Sequence, residues 1–408
     1  MRITFIVQRY YPAHLTGSEL FVGKIIPYLQ KRGCQVSVIT SDTKTGRGWY
    51  LPDHRDKICP RFQKINQVSI YRQPVQWYRA AWWQAVKRLR KIMASDQRLD
   101  PLYYFGPYLA NLSRSINHSR PDVVQAVAYP CSYLRQLTFL PSRPPLVLTP
   151  FYHSALFGET NPGLRRIMDS ADKVMVMTNC EKDIMIRHGI DPARVAVIPL
   201  GIDPAEMAAA DGAKFRAKHN LSDRFVVLFA GTKSRDKGTV TALQAVRQLS
   251  RRPSKHPISL VAIGNSLPEW SREIISEDRR FLVDLPYVPV AEKADAFAAA
   301  DVLCMPSRAD SFGFAFLEAW LLRKPVIGAK IGATPEIVDD GQNGRLVPFG
   351  KVAELAEAIT LFMENPHLAK NYGLAGYQKV ISLYNWDRVA DQLINIYKKV
   401  SGQAYVHR

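Results

Sequence analysis

The chain has 408 residues, 47% hydrophobic and 22% charged, which is more than one core usually supports, so two domains of similar size are expected. The five cysteines, Cys34, Cys59, Cys131, Cys180 and Cys304, are far apart and form no Cys-x-x-Cys pair. This argues against a disulfide frame or a structural zinc site and fits a reducing cytosol. No apolar run is long enough to span a bilayer, and a strand at 3–7 leaves no room for a signal peptide. The formal net charge of +19 permits nucleic acid, an anionic membrane surface or acidic small molecules as partners.

Residues 1–7 read as a strand, 8–18 as a loop that Ser18 ends as an N-cap, and the next segment as a helix to about Arg32, closed by Gly33 and kinked at Pro27. With the strand 35–40 this makes a βαβ unit, and its first loop lies at the carboxyl edge of a parallel sheet, where Gly17 lets backbone approach a ligand closely. The polar stretch 42–72 shows little period and reads as loop and irregular strand. Segment 77–93, WYRAAWWQAVKRLRKIM, is dense in Trp and Lys/Arg. At helical pitch Trp82, Val86, Leu89 and Met93 share one face, while Arg79, Lys87, Arg88, Arg90 and Lys91 surround the other. Such a helix suits a lipid headgroup layer, or alternatively covers the amino-terminal sheet with a solvated basic face. Aromatic and basic residues interleave only here, without a recognised nucleic-acid module, so no nucleic-acid partner is expected.

A helix near 108–117 and strands at 123–126, 146–149 and 174–177 follow. His153 falls just past the second of these strands, on the same rim as Gly17; a lone His is either structural or a proton-transfer group. A helix at 181–188, a strand at 195–198 and the stiff connector ProLeuGlyIleAspPro (199–204) close the first half. The second half repeats the pattern: a buried strand at 225–229, the loop AlaGlyThrLysSerArgAspLysGly (230–238) with Lys233, Arg235 and Lys237, and a helix at 240–249. This loop lacks the Gly-Lys-Ser/Thr order of a Walker P-loop. No Gly-x-Gly-x-x-Gly follows the first strand, which disfavours nicotinamide or flavin chemistry. A strand at 259–263, helices at 291–299 and 352–363, and a terminal amphipathic helix at 386–400 follow.

The stretch 303–332 carries the most legible chemistry. Residues 302–305 suit a strand buried on both faces and 314–322 a helix, stopped by Arg323, Lys324 and Pro325. Ser311, Phe312 and Gly313 then present backbone N–H groups at a helix amino terminus, which fits phosphate oxygens. Asp310 in the loop and Glu318 in the helix border one pocket, where carboxylates accept from sugar hydroxyls. The plainer reading is that Asp310 caps the helix and Glu318 is solvated.

SerArgAlaAspSerPheGlyPheAlaPheLeuGluAla (307–319) resembles the acid-x7-acid motif of family 4 (group 1) glycosyltransferases. LysProValIleGly (324–328), GlyAlaThrProGluIleValAspAspGlyGlnAsnGlyArgLeuVal (332–347), ValIleProLeuGlyIleAsp (197–203) and TyrTyrProAlaHisLeuThrGlySerGlu (10–19) resemble further motifs of that family, in the right order. The resemblance implies an α/β protein of GT-B architecture, with two Rossmann-like domains whose parallel sheets face an interdomain cleft. These are an acceptor-side domain at 1–198 and a nucleotide-sugar domain at 199–385, with the helix at 386–408 packing back on the first.

By the same resemblance Glu318 holds the donor's ribose, while Asp310 and the N–H groups of Phe312, Gly313 and Phe314 hold sugar and phosphates. Lys237 neutralises the leaving diphosphate, Gly17 approaches it from the other domain, and His153 lines the sugar pocket. Three positions depart from the family: Asp310 where Glu is frequent, Thr232 where an Arg is frequent, with Lys233 or Arg235 as substitutes, and Thr16 in place of a glycine.

The implied reaction is retaining transfer of a hexosyl group from a nucleotide-diphosphate sugar to an acceptor hydroxyl. Fixed cations and helix ends serve in place of a metal, and no cofactor is needed beyond the donor. A sugar or lipid-linked acceptor, polysaccharide or glycolipid synthesis, and a cytoplasmic location, peripheral at the inner membrane face if the basic helix touches lipid, are the accompanying expectations. A nucleotide-sugar epimerase of the same fold and a non-catalytic basic binding protein are the alternatives.

Overall fold

The computed structural model describes residues 1–13, 17–92, 101–103, 105–152, 162–253, 256–308, 310 and 312–402. His153, Ser311, Thr16 and Met93 lie outside them. Two compact units divide the chain: Met1–Pro199 with Trp386–Arg408, and Leu200–Asn385.

The first unit is built on an eight-stranded sheet: β1 (Arg2–Ile6), β2 (Gln35–Ser41), β3 (Phe62–Ile65), β4 (Val68–Gln73), β5 (Val123–Val127), β6 (Leu146–Thr149), β7 (Lys173–Val176) and β8 (Val195–Val197). Its order is β3-β4-β2-β1-β5-β6-β7-β8, parallel except for the β3–β4 pair. Each residue of β5 is buried, as expected for a parallel strand covered by helices on both faces. Its polar member, Gln125, is satisfied by Thr149 Oγ1 and by the Tyr397 hydroxyl of the terminal helix Trp386–Ser401. That helix packs on the helix Gly17–Lys31, with the Trp386 ring 6.1 Å from Phe21 and Arg32 bridging Asp387 and Asp391.

The second unit holds β9 (Phe225–Ala230), β10 (Ile258–Ile263), β11 (Leu282–Leu285), β12 (Val302–Met305), β13 (Val326–Ala329) and β14 (Gly344–Val347). All pairings are parallel, in the order β11-β10-β9-β12-β13-β14. Counted from its own first strand, that order is the doubly wound one, and its direction reverses between β9 and β12. The carboxyl ends of those two strands flank the topological switch point, where an open α/β sheet leaves a crevice for a ligand.

Several local expectations differ from the structure for identifiable reasons. The helix after β1 starts at Gly17 and runs through Pro27 to Lys31, so Ser18 sits in its first turn rather than capping it. The irregular stretch before 72 contains β3 and β4, with β4 in parallel register on β2. The basic helix spans Trp77–Ile92, and its apolar face does not cover the sheet as one of the two alternatives had it: Trp82 and Leu89 are 66% and 58% exposed, while Ala80 is buried and the Trp83 ring lies tilted 4.5 Å from Tyr103. Met93 would extend that face beyond the described residues.

Candidate functional site

Two loops meet at the switch point of the second unit. The loop after β9 ends at Gly238, the N-cap of the helix Thr239–Ser250, and the loop after β12 ends at Gly313, the N-cap of the helix Phe314–Leu321. Both glycines are left-handed, with φ of 76° and 90°, a region costly for side chains with a Cβ. A Cβ on Gly238 would lie 2.3 Å from the Pro306 carbonyl oxygen, and one on Gly313 would lie 2.8 Å from the Phe316 ring. The two loops therefore pass each other at backbone contact. Arg308 N–H donates to the Asp236 carbonyl at 2.8 Å, and the Arg308 guanidinium pairs with the Asp236 carboxylate at 2.8 Å.

On this crossing Lys237 Nζ donates to the Asp310 carboxylate, joining the two residues from opposite sides of the switch point. Both are partly buried, with side chains 28% and 14% exposed, so water screens their attraction less than on an open surface. Neither helix end carries a side-chain cap. Both N-caps are glycines without a side chain to offer, so the positive ends of two helix dipoles lie at the two loops that cross here, an arrangement that favours an anion.

Glu318 lies one turn inside the helix Phe314–Leu321, partly buried, and accepts from Lys293 Nζ at 2.5 Å. Lys293 comes from the helix Val290–Ala299. It escapes a reading of the sequence because it stands alone, 25 residues before its partner. Asp236 escapes for a similar reason: in the sequence it is one more charge in a loop of cations.

The other expected residues fall as follows. Thr232 is exposed on the loop after β9. Phe312 is 2% exposed and packs edge-on against Phe314 and Tyr384, so its side chain belongs to the core and only its backbone faces the loop. Gly17 opens its helix in the first unit, with nothing within 4 Å of an added Cβ. His153 and Ser311 lie outside the described residues.

Lys233 and Arg235, the expected substitutes for the missing arginine, both pair within the second unit. Lys233 is buried at 1% exposure and bonds the Asp284 carboxylate and the Leu285 carbonyl of β11, beside the Trp270 ring. Arg235 turns to Glu273 at 3.0 Å. Among the cations expected on this loop, Lys237 is the one joined to the β12 loop.

Asp339 and Asp340 serve the scaffold. Asp339 accepts from Asn343 and Lys379, and Asp340 accepts from Leu346 N–H. Among the described residues no group of three or more His, Cys, Asp or Glu could hold a metal ion. No helix of the described residues is long and apolar enough to cross a membrane.

Comparison with known proteins gives concordant matches for each half of the chain. Residues 211–379 match the family described as glycosyl transferases group 1, and residues 16–201 match the glycosyl transferase 4-like domain. An alpha-maltose-1-phosphate synthase from Mycolicibacterium smegmatis is 28% identical over 257 residues, 58% of this chain and 65% of the relative. A D-inositol 3-phosphate glycosyltransferase from Streptomyces bingchenggensis is 32% identical over 251 residues, 58% of this chain and 54% of the relative. The chain thus spans between about half and two thirds of the curated relatives it matches.

Among solved structures, sucrose-phosphate synthase from Thermosynechococcus elongatus superposes with TM-score 0.73 at 18% identity, covering 99% of this chain and 100% of that one. HepE of Anabaena, in complex with UDP and glucose, superposes with TM-score 0.72 at 19% identity, covering 98% and 100%. These likenesses show a shared GT-B fold.

Proposed function

The chain belongs to the glycosyl transferases group 1 family, and from that premise we propose that it moves a hexosyl group from a nucleotide-diphosphate sugar to an acceptor hydroxyl, with retention at the anomeric carbon. One observation carries the reading: the Lys237–Asp310 pair lies where two glycine-started helix ends meet at the switch point of the second unit. Departure of a diphosphate concentrates negative charge on the leaving group. A cation and two sets of N–H groups already fixed in place stabilise that charge without reorganising as it forms. In this reading Lys237 and the N–H groups after Gly313 hold the phosphates, Glu318 accepts from the ribose hydroxyls, and Asp310 both holds Lys237 and accepts from the sugar. The cationic work falls to Lys237 and the helix dipoles, so transfer is expected to persist in a chelator such as EDTA.

UDP and UDP-glucose complexes of HepE make UDP-sugars the first donors to test. A sugar or lipid-linked acceptor at a membrane surface is supported by the exposed Tyr78, Trp82 and Leu89 on the basic helix Trp77–Ile92. Aromatic and apolar side chains among lysines and arginines favour the headgroup layer. Sedimentation with anionic vesicles tests that placement, and equal, negligible binding with and without anionic lipid removes it. For the reaction itself, a thermal-shift screen of nucleotide sugars finds the donor, because a bound ligand raises the melting temperature by mass action. Lys237→Ala and Glu318→Ala are each expected to lower transfer about a hundredfold or more while the protein stays folded. Near-normal rates in both variants sink the assignment.

A further inference from the structure

The first unit carries a groove of about 740 Å³ remote in sequence from Lys237, Asp310 and Glu318. Its walls include Arg79 of the helix Trp77–Ile92, Tyr108 and Leu112, Arg114 of the helix Leu112–Ser119, and Arg135 and Phe139 at the end of the helix Ser132–Thr138. Among the described residues no acidic side chain lines it, and none of the three arginines makes an ion pair.

Aromatic faces position two of these cations without neutralising them. The Arg79 guanidinium stands 5.9 Å from the Tyr108 ring, and that of Arg135 stands 4.4 Å from Tyr103 and 5.1 Å from Phe139. The Gln136 side-chain amide bonds both the N–H and the carbonyl of Leu109, which stiffens the wall between them. The helix Leu112–Ser119 opens at Asn111, whose side chain makes no cap hydrogen bond, so its first N–H groups add to the positive field.

We propose that this groove binds the phosphate group of a phosphorylated sugar or polyol. Three guanidinium forks match the several oxygens of a phosphate better than they match a single carboxylate or hydroxyl. Phe139, 61% exposed, gives the carbon skeleton an apolar wall. The phosphate reaches the groove either on a free molecule or on the headgroup of a lipid. The proposal needs no transfer chemistry and stands apart from the donor reading.

Calorimetric titration of the full chain with glycerol 3-phosphate, with glycerol as control, tests it alongside sedimentation with phosphatidylcholine vesicles with or without phosphatidylglycerol. Arg114→Ala removes an exposed cation that makes no structural contact to a ring, and the double variant Arg114→Ala/Arg135→Gln removes a second. Binding of glycerol 3-phosphate by the native protein, weakened about tenfold or more in Arg114→Ala with glycerol inert, supports the site with a free source. Sedimentation with phosphatidylglycerol vesicles that Arg114→Ala loses, in the absence of binding to the free compound, supports it with a lipid source. Failure of the native protein to bind either probe, or binding equally strong in both variants, overturns it. Affinity for UDP, measured on the same samples, is expected to be unchanged by either variant, and its loss from the native protein would count against the donor reading alone.

Discussion

Lys293 gives the residue scale its sharpest test, because it touches the proposed donor site only through Glu318. Its ammonium fixes one oxygen of a partly buried carboxylate, and a carboxylate so held presents its other oxygen in a set direction. Lys293→Met is therefore expected to raise the donor KM about tenfold with little change in kcat, whereas Glu318→Ala removes the acceptor itself. Equal losses of kcat in both variants would make Lys293 more than a positioning residue.

Glu181 of the first unit couples stability to pH. Full burial pushes its carboxyl up to about 7 from an ordinary 4.5, opposed by the Met177 and Tyr152 N–H groups that bond it. The folded protein keeps this proton where the unfolded chain has lost it, so stability falls as pH rises from 4.5 to 7 and levels above that window, by about 3 kcal/mol from this group. Denaturant melts across that range should show the decline in the native protein and a flatter profile in Glu181→Gln.

At the scale of elements, glycines decide what can cross. Gly238→Ala puts a Cβ 2.3 Å from the Pro306 carbonyl at a φ of 76°, which forces apart the two loops that carry Lys237 and Asp310. Loss of about 2–4 kcal/mol of stability is expected, together with donor affinity, measured by chemical denaturation and thermal shift. A variant that melts like the native protein contradicts the crossing. The helix Pro366–Leu383 shows the same physics at Gly373 and Gly376. In space a Cβ on Gly373 would fall 1.9 Å from the Arg323 carbonyl, and one on Gly376 would fall 2.0 Å from the Trp320 ring. Both glycines let that helix approach the end of Phe314–Leu321.

The helix Phe314–Leu321 itself was legible, because the apolar run before it, the glycine at its start and the cations and proline after it are all local signals. The basic helix was legible in type but not in orientation. Periodicity ranks Trp82 with Leu89, whereas the rings actually available to pack against chose Trp83. The Lys237–Asp310 contact spans 73 residues and the Lys293–Glu318 contact 25, and no local pattern encodes which loops a sheet order brings together.

The whole molecule sorts by chain continuity. The doubly wound second unit is one uninterrupted segment, Leu200–Asn385, with its own sheet and a core that includes Trp270, Trp320 and Phe229. The fold class was readable from apolar runs alternating with helical segments, since a parallel sheet needs a covering crossover after each strand. The first unit is different, because its core is completed by residues that follow the second unit in the chain. Trp386, Leu393 and Tyr397 are buried at 2% exposure or less, and Tyr397 supplies a partner to the buried Gln125. Three large apolar side chains are worth roughly 5 kcal/mol or more, a large share of the 5–15 kcal/mol that holds a typical domain. Residues 200–385 produced alone are thus expected to melt cooperatively and to gain stability from UDP, while 1–199 alone should fail to fold and recover when 386–408 is fused to its end. Cooperative melting of 1–199 without that helix would show that its core closes by itself.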